Sequence, residues 1–148
     1  MPRHKTPSAD TCPVARSLDV IGDRWILLVI RDAFDGIQRF GDFQRSLGVA
    51  RNILSDRLRR LVEAGVLRAR PASDGSAYQE YVLTAMGRGL FPVVVALRQW
   101  GERHLFENGE RHSLLVHKHS RKPVPFMAPR GQKGMVLSAE QTEVQKVP

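Results

Sequence analysis

The residues of this chain best suited to chemistry are arginines, and they are crowded. Arg51, Arg57, Arg59, Arg60, Arg68 and Arg70 fall within residues 51–70, countered there only by Asp56 and Glu63. The stretch "RNILSDRLRRLVEAGVLRAR" carries a net +4, half of the chain's formal +8. A guanidinium is planar and permanently charged, and its donors match phosphate oxygens and the O6/N7 edge of guanine. Asn52 and Ser55 stand among these arginines, and an Asn amide can pair bidentately with adenine. A compact cationic patch of this kind points to a polyanionic partner, above all double-stranded DNA or another nucleic acid.

Other chemistries find less support. His104, His112, His117 and His119 raise a metal reading, and His117 and His119 would share one strand face. No cysteine accompanies them, so the ligand set falls short of a structural zinc site. Neither a metal nor a cofactor is expected. No nucleophile-elbow or phosphate-loop spacing is present, which argues against an enzyme. Cys12 is the only cysteine, so an internal disulfide is excluded and a reducing compartment fits. The start "MPRHKTPSADTCP" has no apolar run of signal-peptide length, and "WILLVI" and "FPVVVAL" are too short to span a bilayer. The expectation is a cytoplasmic protein with no membrane partner.

The elements that must position the arginines are legible from periodicity. Residues 1–10 are polar, with two prolines, and are expected to form a flexible arm. Pro13 suits the first turn of a helix marked by Val14, Leu18 and Ile21 and ended by Gly22. Asp23 is a good N-cap for "RWILLVIRDAF", which Asp35-Gly36 terminates. A short helix over "FGDFQRSL" follows, with Phe40, Phe43 and Leu47 as inward anchors and Gly48 as the turn. In the next helix Leu54, Leu58, Leu61 and Val62 fall on one side at 3.6-residue spacing, and Gly65 ends it. The period then changes to two: "VLRAR" and "YQEYVLT" read as strands around the Asp-Gly turn of "PASDGSA". Thr84 caps a last long helix over 85–105, which Pro92 should kink. Its stripe of Met86, Leu90, Val93, Leu97 and Trp100 resembles a helix–helix seam.

This order describes a mainly α fold with a small β hairpin (α+β), a winged helix-turn-helix over 11–106. The tail, 107–148, reads as a β-rich or irregular extension, with "SLLVHKH", "PVPFM" and "TEVQKV" as short-strand candidates. In a winged helix-turn-helix the second helix of the pair enters the major groove and its N-terminal residues reach base edges. Arg51, at the helix start, is then placed for phosphate. Asn52, Ser55, Asp56 and Arg59 are candidates for base-edge or groove contacts. Asp56 could accept from cytosine N4 or pair with Arg60 at i+4; the intrahelical pair is preferred. Arg57 lies on the flank of the apolar face, which suits a structural role beside the preceding helix. Arg68 and Arg70 share one strand face with Val66 and make the wing basic, within reach of phosphate or the minor groove.

Over about residues 11–106 the chain resembles the HxlR-type winged helix-turn-helix transcriptional regulators. The marks are Cys12-Pro13, Gly22 with Trp25, Arg39-Phe40, "ILSDRLRRL", "EAGVL", "YVLT" with Gly87, and Trp100. The resemblance implies a DNA-binding homodimer, with the first and last helices of the domain at the subunit contact. Leu18, Leu90, Val93, Leu97 and Trp100 are the residues expected there. Relatives often open the recognition helix with Ser-Pro; Ala50-Arg51 stands here, a poorer cap but a better phosphate ligand. Some relatives sense oxidants or electrophiles through a cysteine in this region. Cys12 sits at a helix start with Arg16 one turn on, a setting that favours thiolate, so a redox role under an oxidant or a small-molecule effector is considered. Its bland counterpart is a small packing residue. The reading is a repressor on a pseudo-palindromic operator. The alternatives are a winged-helix protein-interaction module that reads no DNA, and a small-molecule enzyme whose site is unrecognised.

Overall fold

The computed structural model describes residues 11–148; the arm expected over 1–10 lies outside them. Helix α1 spans Pro13–Ile21 and α2 spans Arg24–Phe34. Helices α3 (Phe40–Leu47) and α4 (Arg51–Glu63) follow, then the antiparallel strands β1 (Leu67–Pro71) and β2 (Gln79–Leu83). Helices α5 (Ala85–Arg88) and α6 (Phe91–His104) precede an irregular tail. This is the α+β winged helix-turn-helix that the sequence pattern predicts.

The local reasons are those of elementary helix chemistry. Pro13 stands in the first turn of α1, where a missing N–H costs nothing. Asp23 Oδ1 caps α2 by accepting from the amides of Trp25 (2.9 Å) and Ile26 (3.1 Å). Gly48 ends α3 at φ 61°, a left-handed conformation that suits glycine and lets the chain turn sharply into α4. Helix α4 starts at Ala50 without any side-chain cap, as expected of Ala50-Arg51.

The core of the winged domain is built on α2, which gives Ile26, Val29 and Ile30. Phe43 of α3 and Leu54, Leu58 and Leu61 of α4 close over it, with Val66 and Leu67 at the entry to the hairpin. Leu47 and Val62 are only half-buried, so their share in the core is smaller than periodicity suggests. On α1, Ala15 and Ile21 are buried, but Val14 and Leu18 are 67% and 57% exposed.

The last helix differs from the sequence expectation for physical reasons. The single helix over 85–105 is two helices, broken at Gly89 and Leu90 rather than kinked at Pro92. Pro92 instead occupies the first turn of α6, where its lack of an N–H is tolerated. Thr84 caps only α5, accepting from Gly87 N at 3.1 Å. By compactness the described residues divide at Phe91 and Pro92, so α6 groups with the tail.

The expected tail strands do not form. Ser113 to His119 and Pro123 to Met127 meet only at a Val116–Pro123 bridge, and a second bridge joins Arg130 to Val136. Prolines at 123, 125 and 129 remove donors that a ladder needs. The tail is held by side chains of α6 instead. Buried Gln99 donates from Nε2 to Pro125 O (3.0 Å) and accepts at Oε1 from Met127 N (2.8 Å). Arg98 donates to Ser113 O and Oγ (3.1 and 2.9 Å), and the Arg103 guanidinium lies 3.7 Å from the centre of the Phe126 ring.

Candidate nucleic-acid interface

Helix α4 buries Leu54, Leu58 and Leu61 and turns Arg51, Asn52, Ser55 and Arg59 to solvent. Its apolar seam therefore fixes which side chains face outward. The first turn presents Arg51, Asn52 and Ser55 together, one turn of helix in front of Arg59. Arg51 has no carboxylate partner among the described residues; its guanidinium lies 4.9 Å from the centre of the Phe40 ring. That stacking steadies a charge that is still exposed.

The remaining arginines are more heavily engaged than their sequence positions suggest. Asp56 takes Arg59 at 2.7 Å and Arg57 at 3.0 Å, while Arg60 stays at 3.8 Å. The preferred Asp56–Arg60 pair is therefore the weakest of three. The reason is geometric, since Arg59 one turn on and Arg57 next in the chain both reach the carboxylate first. The hydrogen bond from Arg59 chiefly, helped by a lesser one from Arg57, holds the Asp56 carboxyl below its ordinary range against the opposing effect of burial. Arg59 also donates to Glu63 at 3.0 Å, so it enters any contact already paired on both sides.

Arg57 does take a structural role, but on α2 rather than on the preceding helix α3. Its Nε and Nη2 donate to Asp23 Oδ1 (3.2 Å) and Oδ2 (3.0 Å). Asp23 thus caps α2 and anchors α4 at once, which sets the angle of α4 on the core. Burial pushes the Asp23 carboxyl upward, yet the Arg57 bond and the Ile26 and Trp25 amides outweigh it and the net shift is downward.

On the wing, Arg70 and Glu80 are cross-strand neighbours. Arg70 Nε donates to Glu80 Oε2 at 3.2 Å, and Glu80 Oε1 accepts from Ser73 N (3.1 Å) and Ser73 Oγ (3.0 Å). The Ser73 amide chiefly, then its hydroxyl and Arg70 against an opposing effect of burial, hold this buried carboxyl below its ordinary range. Arg70 is therefore a strut of the hairpin as well as a surface charge. Arg68, exposed and without a carboxylate partner among the described residues, is the wing's available cation.

Arg39, Asp74 and Tyr78, to which the sequence assigns no site role, complete the surface. Arg39 precedes α3, and its backbone forms a bridge with Glu80 while Tyr81 N donates to Gln38 O at 2.7 Å. The hairpin is thereby stitched to the helix pair through a third, minimal strand. The Arg39 guanidinium pairs with Asp74 in the wing turn and lies 5.7 Å from the Tyr78 ring centre. The only local hint was extended "IQR" between two helices; the pairing itself spans 35 positions. Cys12 is half-buried at the N-cap of α1, where its Sγ accepts from Ala15 N at 3.4 Å. Of the expected subunit-contact residues, Leu18, Val93, Leu97 and Trp100 are exposed, and Leu90 is half-buried.

A helix pair joined by a left-handed glycine turn, an outward-facing second helix and a two-stranded wing define a fold class; comparison with known proteins narrows it. The profile of the HxlR-like helix-turn-helix family matches residues 20–109. The chain belongs to that family. Among HxlR-like relatives, Rv3095 of Mycobacterium tuberculosis, an uncharacterised HTH-type transcriptional regulator, is 48% identical over 92 residues, 62% of this chain and 58% of that protein. The chain thus spans less than two thirds of the mycobacterial relatives' length. YybR of Bacillus subtilis, likewise an uncharacterised HTH-type transcriptional regulator, is 34% identical over 74% of this chain and 90% of its own. Among solved structures, PA1607, a candidate transcription factor, is 55% identical with a TM-score of 0.89, covering 95% of this chain and 99% of that one. The redox regulator HypR, in its reduced form, is 33% identical with a TM-score of 0.59 over 64% of this chain and 94% of its own. The HxlR-like profile ends at residue 109, whereas the likeness to PA1607 extends over nearly the whole chain, so the tail is shared beyond the family's common domain.

Proposed function

We propose that this HxlR-like chain is a DNA-binding transcriptional regulator that reads a pseudo-palindromic operator as a homodimer and represses by occluding a promoter. One observation carries the reading: the first turn of α4 turns Arg51, Asn52 and Ser55 outward together while Leu54, Leu58 and Leu61 fasten its other side to the core. A helix so fixed can lie in a major groove with its N-terminal residues at the base edges. Asn52 and Ser55 are assigned to base edges, Arg51 and Arg68 to phosphate. Arg59 and Arg60 flank the groove, Asp56 orients Arg59, and Arg70 supports the wing. The names of the relatives, all on the side of transcription, favour a binding protein over an enzyme.

The homodimer is supported by apolar surface that a single chain leaves open. Leu18 on α1 and Leu97 and Trp100 on α6 are each more than half exposed. A second copy would cover such residues, and a two-fold pair would set its recognition helices about 34 Å apart, or a multiple of that. The test is titration of the purified protein against duplex DNA over a range of salt. Affinity that falls steeply as salt rises, with an operator that is two-fold symmetric, is the expected result. Failure to bind any duplex favours the protein-interaction alternative.

A further inference from the structure

The strongest unassigned feature is a groove of about 490 Å³ between the start of α3, the head of α4 and the wing. Arg39, Arg45 and Arg51 line it, with Phe40, Tyr78 and Gln44. Its cations are not equivalent. Arg45 is paired with Asp42 of its own helix, and Arg51 rests on Phe40. Arg39 is held by Asp74, which belongs to the wing turn beside the groove and is itself exposed. A carboxylate and a phosphodiester oxygen offer a guanidinium the same two-acceptor geometry. Asp74 therefore occupies the position on Arg39 that a backbone phosphate would take.

We propose that this groove seats one strand of a DNA backbone, and that Asp74 holds Arg39 as a stand-in for phosphate until DNA displaces it. The inference rests on the DNA-binding reading above and adds to it a specific contact and a specific competitor. In the free protein the exchangeable pair ties the wing turn to α3. On DNA, Arg39 turns to the phosphate, Arg51 meets the same strand from the head of α4, and the wing turn is released from its tie to α3. In the free protein the Arg39 and Arg51 guanidiniums lie 5.7 and 4.9 Å from the ring centres of Tyr78 and Phe40, so both are already placed in the groove. The Arg39 side chain is 34% exposed and that of Asp74 53%, so a phosphate can reach the pair from solvent without rearrangement of the core. Asp74 thus lowers affinity for every duplex, and it does so through Arg39.

The experiment uses the full chain and a fluorescent mixed-sequence duplex about three helical turns long, so that no operator need be known. Wild type, Arg39→Gln, Asp74→Asn and the double variant are titrated between about 50 and 200 mM salt. Asparagine at Asp74 keeps an acceptor for Ser76 N, which now donates to Oδ1 at 3.0 Å, and removes only the charge. Arg39→Gln should lower the salt slope by about 0.9, the release of one fewer counterion, which is about a threefold smaller loss of affinity over that salt range. Arg39→Lys should retain the slope, and circular dichroism checks that each variant is folded. Asp74→Asn should tighten wild-type binding and have no effect once Arg39 is glutamine. An unchanged slope in Arg39→Gln overturns the groove, and equal tightening with and without Arg39 overturns the competition in favour of plain repulsion. In either case, wild-type binding that depends on Arg68 leaves the DNA-binding reading standing alone. A wild type without duplex affinity overturns both.

Discussion

Asp23 joins two helices through one carboxylate, so its loss should cost the winged domain a measurable share of its stability. Its carboxylate caps α2 through two amides and receives a two-pronged bond from Arg57 of α4. A lost N-cap costs about 1 kcal/mol. Hydrogen bonds to charged groups are worth about 1.5–3 kcal/mol. Here the side chains of Arg57 and Asp23 are 22% and 26% exposed, so solvent screening reduces the pair to about 1–2 kcal/mol. Asp23→Ala should then destabilise by about 2–3 kcal/mol. Asp23→Asn keeps the cap and should lose about 1 kcal/mol, the charge-assisted part of the pair. Urea unfolding at fixed protein concentration measures each, and a double-mutant cycle with Arg57→Gln should return a coupling of about 1 kcal/mol. The sign with pH is set by the downward shift of Asp23. Its contribution is complete above the unfolded carboxyl value, about 3.9, and is lost as pH falls through the lower folded value. The gap between wild type and Asp23→Asn should therefore close as pH is lowered through and below 4. Equal stability of Asp23→Ala and wild type, or a coupling of zero with Arg57, would refute the clamp.

Four further outcomes are expected. Gly87→Ala should destabilise by about 1–3 kcal/mol in the same urea assay through overpacking, because an added Cβ would lie 2.2 Å from Val66 O and 3.0 Å from Leu83 Cδ2. Arg68→Ala should weaken all duplexes alike and reduce the salt slope by about 0.9, whereas Arg70→Ala should also loosen the wing by leaving Glu80 without its cation, seen as faster amide exchange at residues 67–83. Aspartate at Val93 or Leu97 should convert a dimer to monomer in sedimentation while circular dichroism stays unchanged; a wild type that sediments as a monomer at micromolar concentration contradicts the interface. Diamide should reduce operator affinity of wild type but not of Cys12→Ser, because oxidation adds bulk at the start of α1; no diamide effect leaves Cys12 as a cap and packing residue.

Much of the fold was legible because it depends on local chemistry. Pro13, Asp23, Gly48 and Thr84 set element ends through backbone geometry or a nearby hydrogen bond, and each acts within a few residues of itself. The leucine seam of α4 likewise fixed which residues face out. What escaped was set by partners far along the chain. Arg57 finds Asp23 across 34 positions and Arg39 finds Asp74 across 35, and no periodicity encodes either. The charge count of 51–70 was correct but overstated the available charge, since Asp23 and Glu80 from outside that window pair with Arg57 and Arg70. In the tail, which the sequence reads as β-rich or irregular, the irregular alternative forms for a related reason. Alternating apolar residues suggested strands, but Gln99 supplies the hydrogen bonds that a neighbouring strand would otherwise provide.

The central claim is that the head of α4 and the wing read duplex DNA two-fold symmetrically. Selection of bound sequences from a pool of random duplexes by the purified full chain tests it most directly. The expected result is an enriched inverted repeat whose half-sites are centred about one helical turn apart or a multiple of that, with the base preference inside each half-site lost in Asn52→Ala. Enrichment of no motif, or of one whose preference is unmoved by Asn52→Ala and Arg51→Ala together, would contradict it.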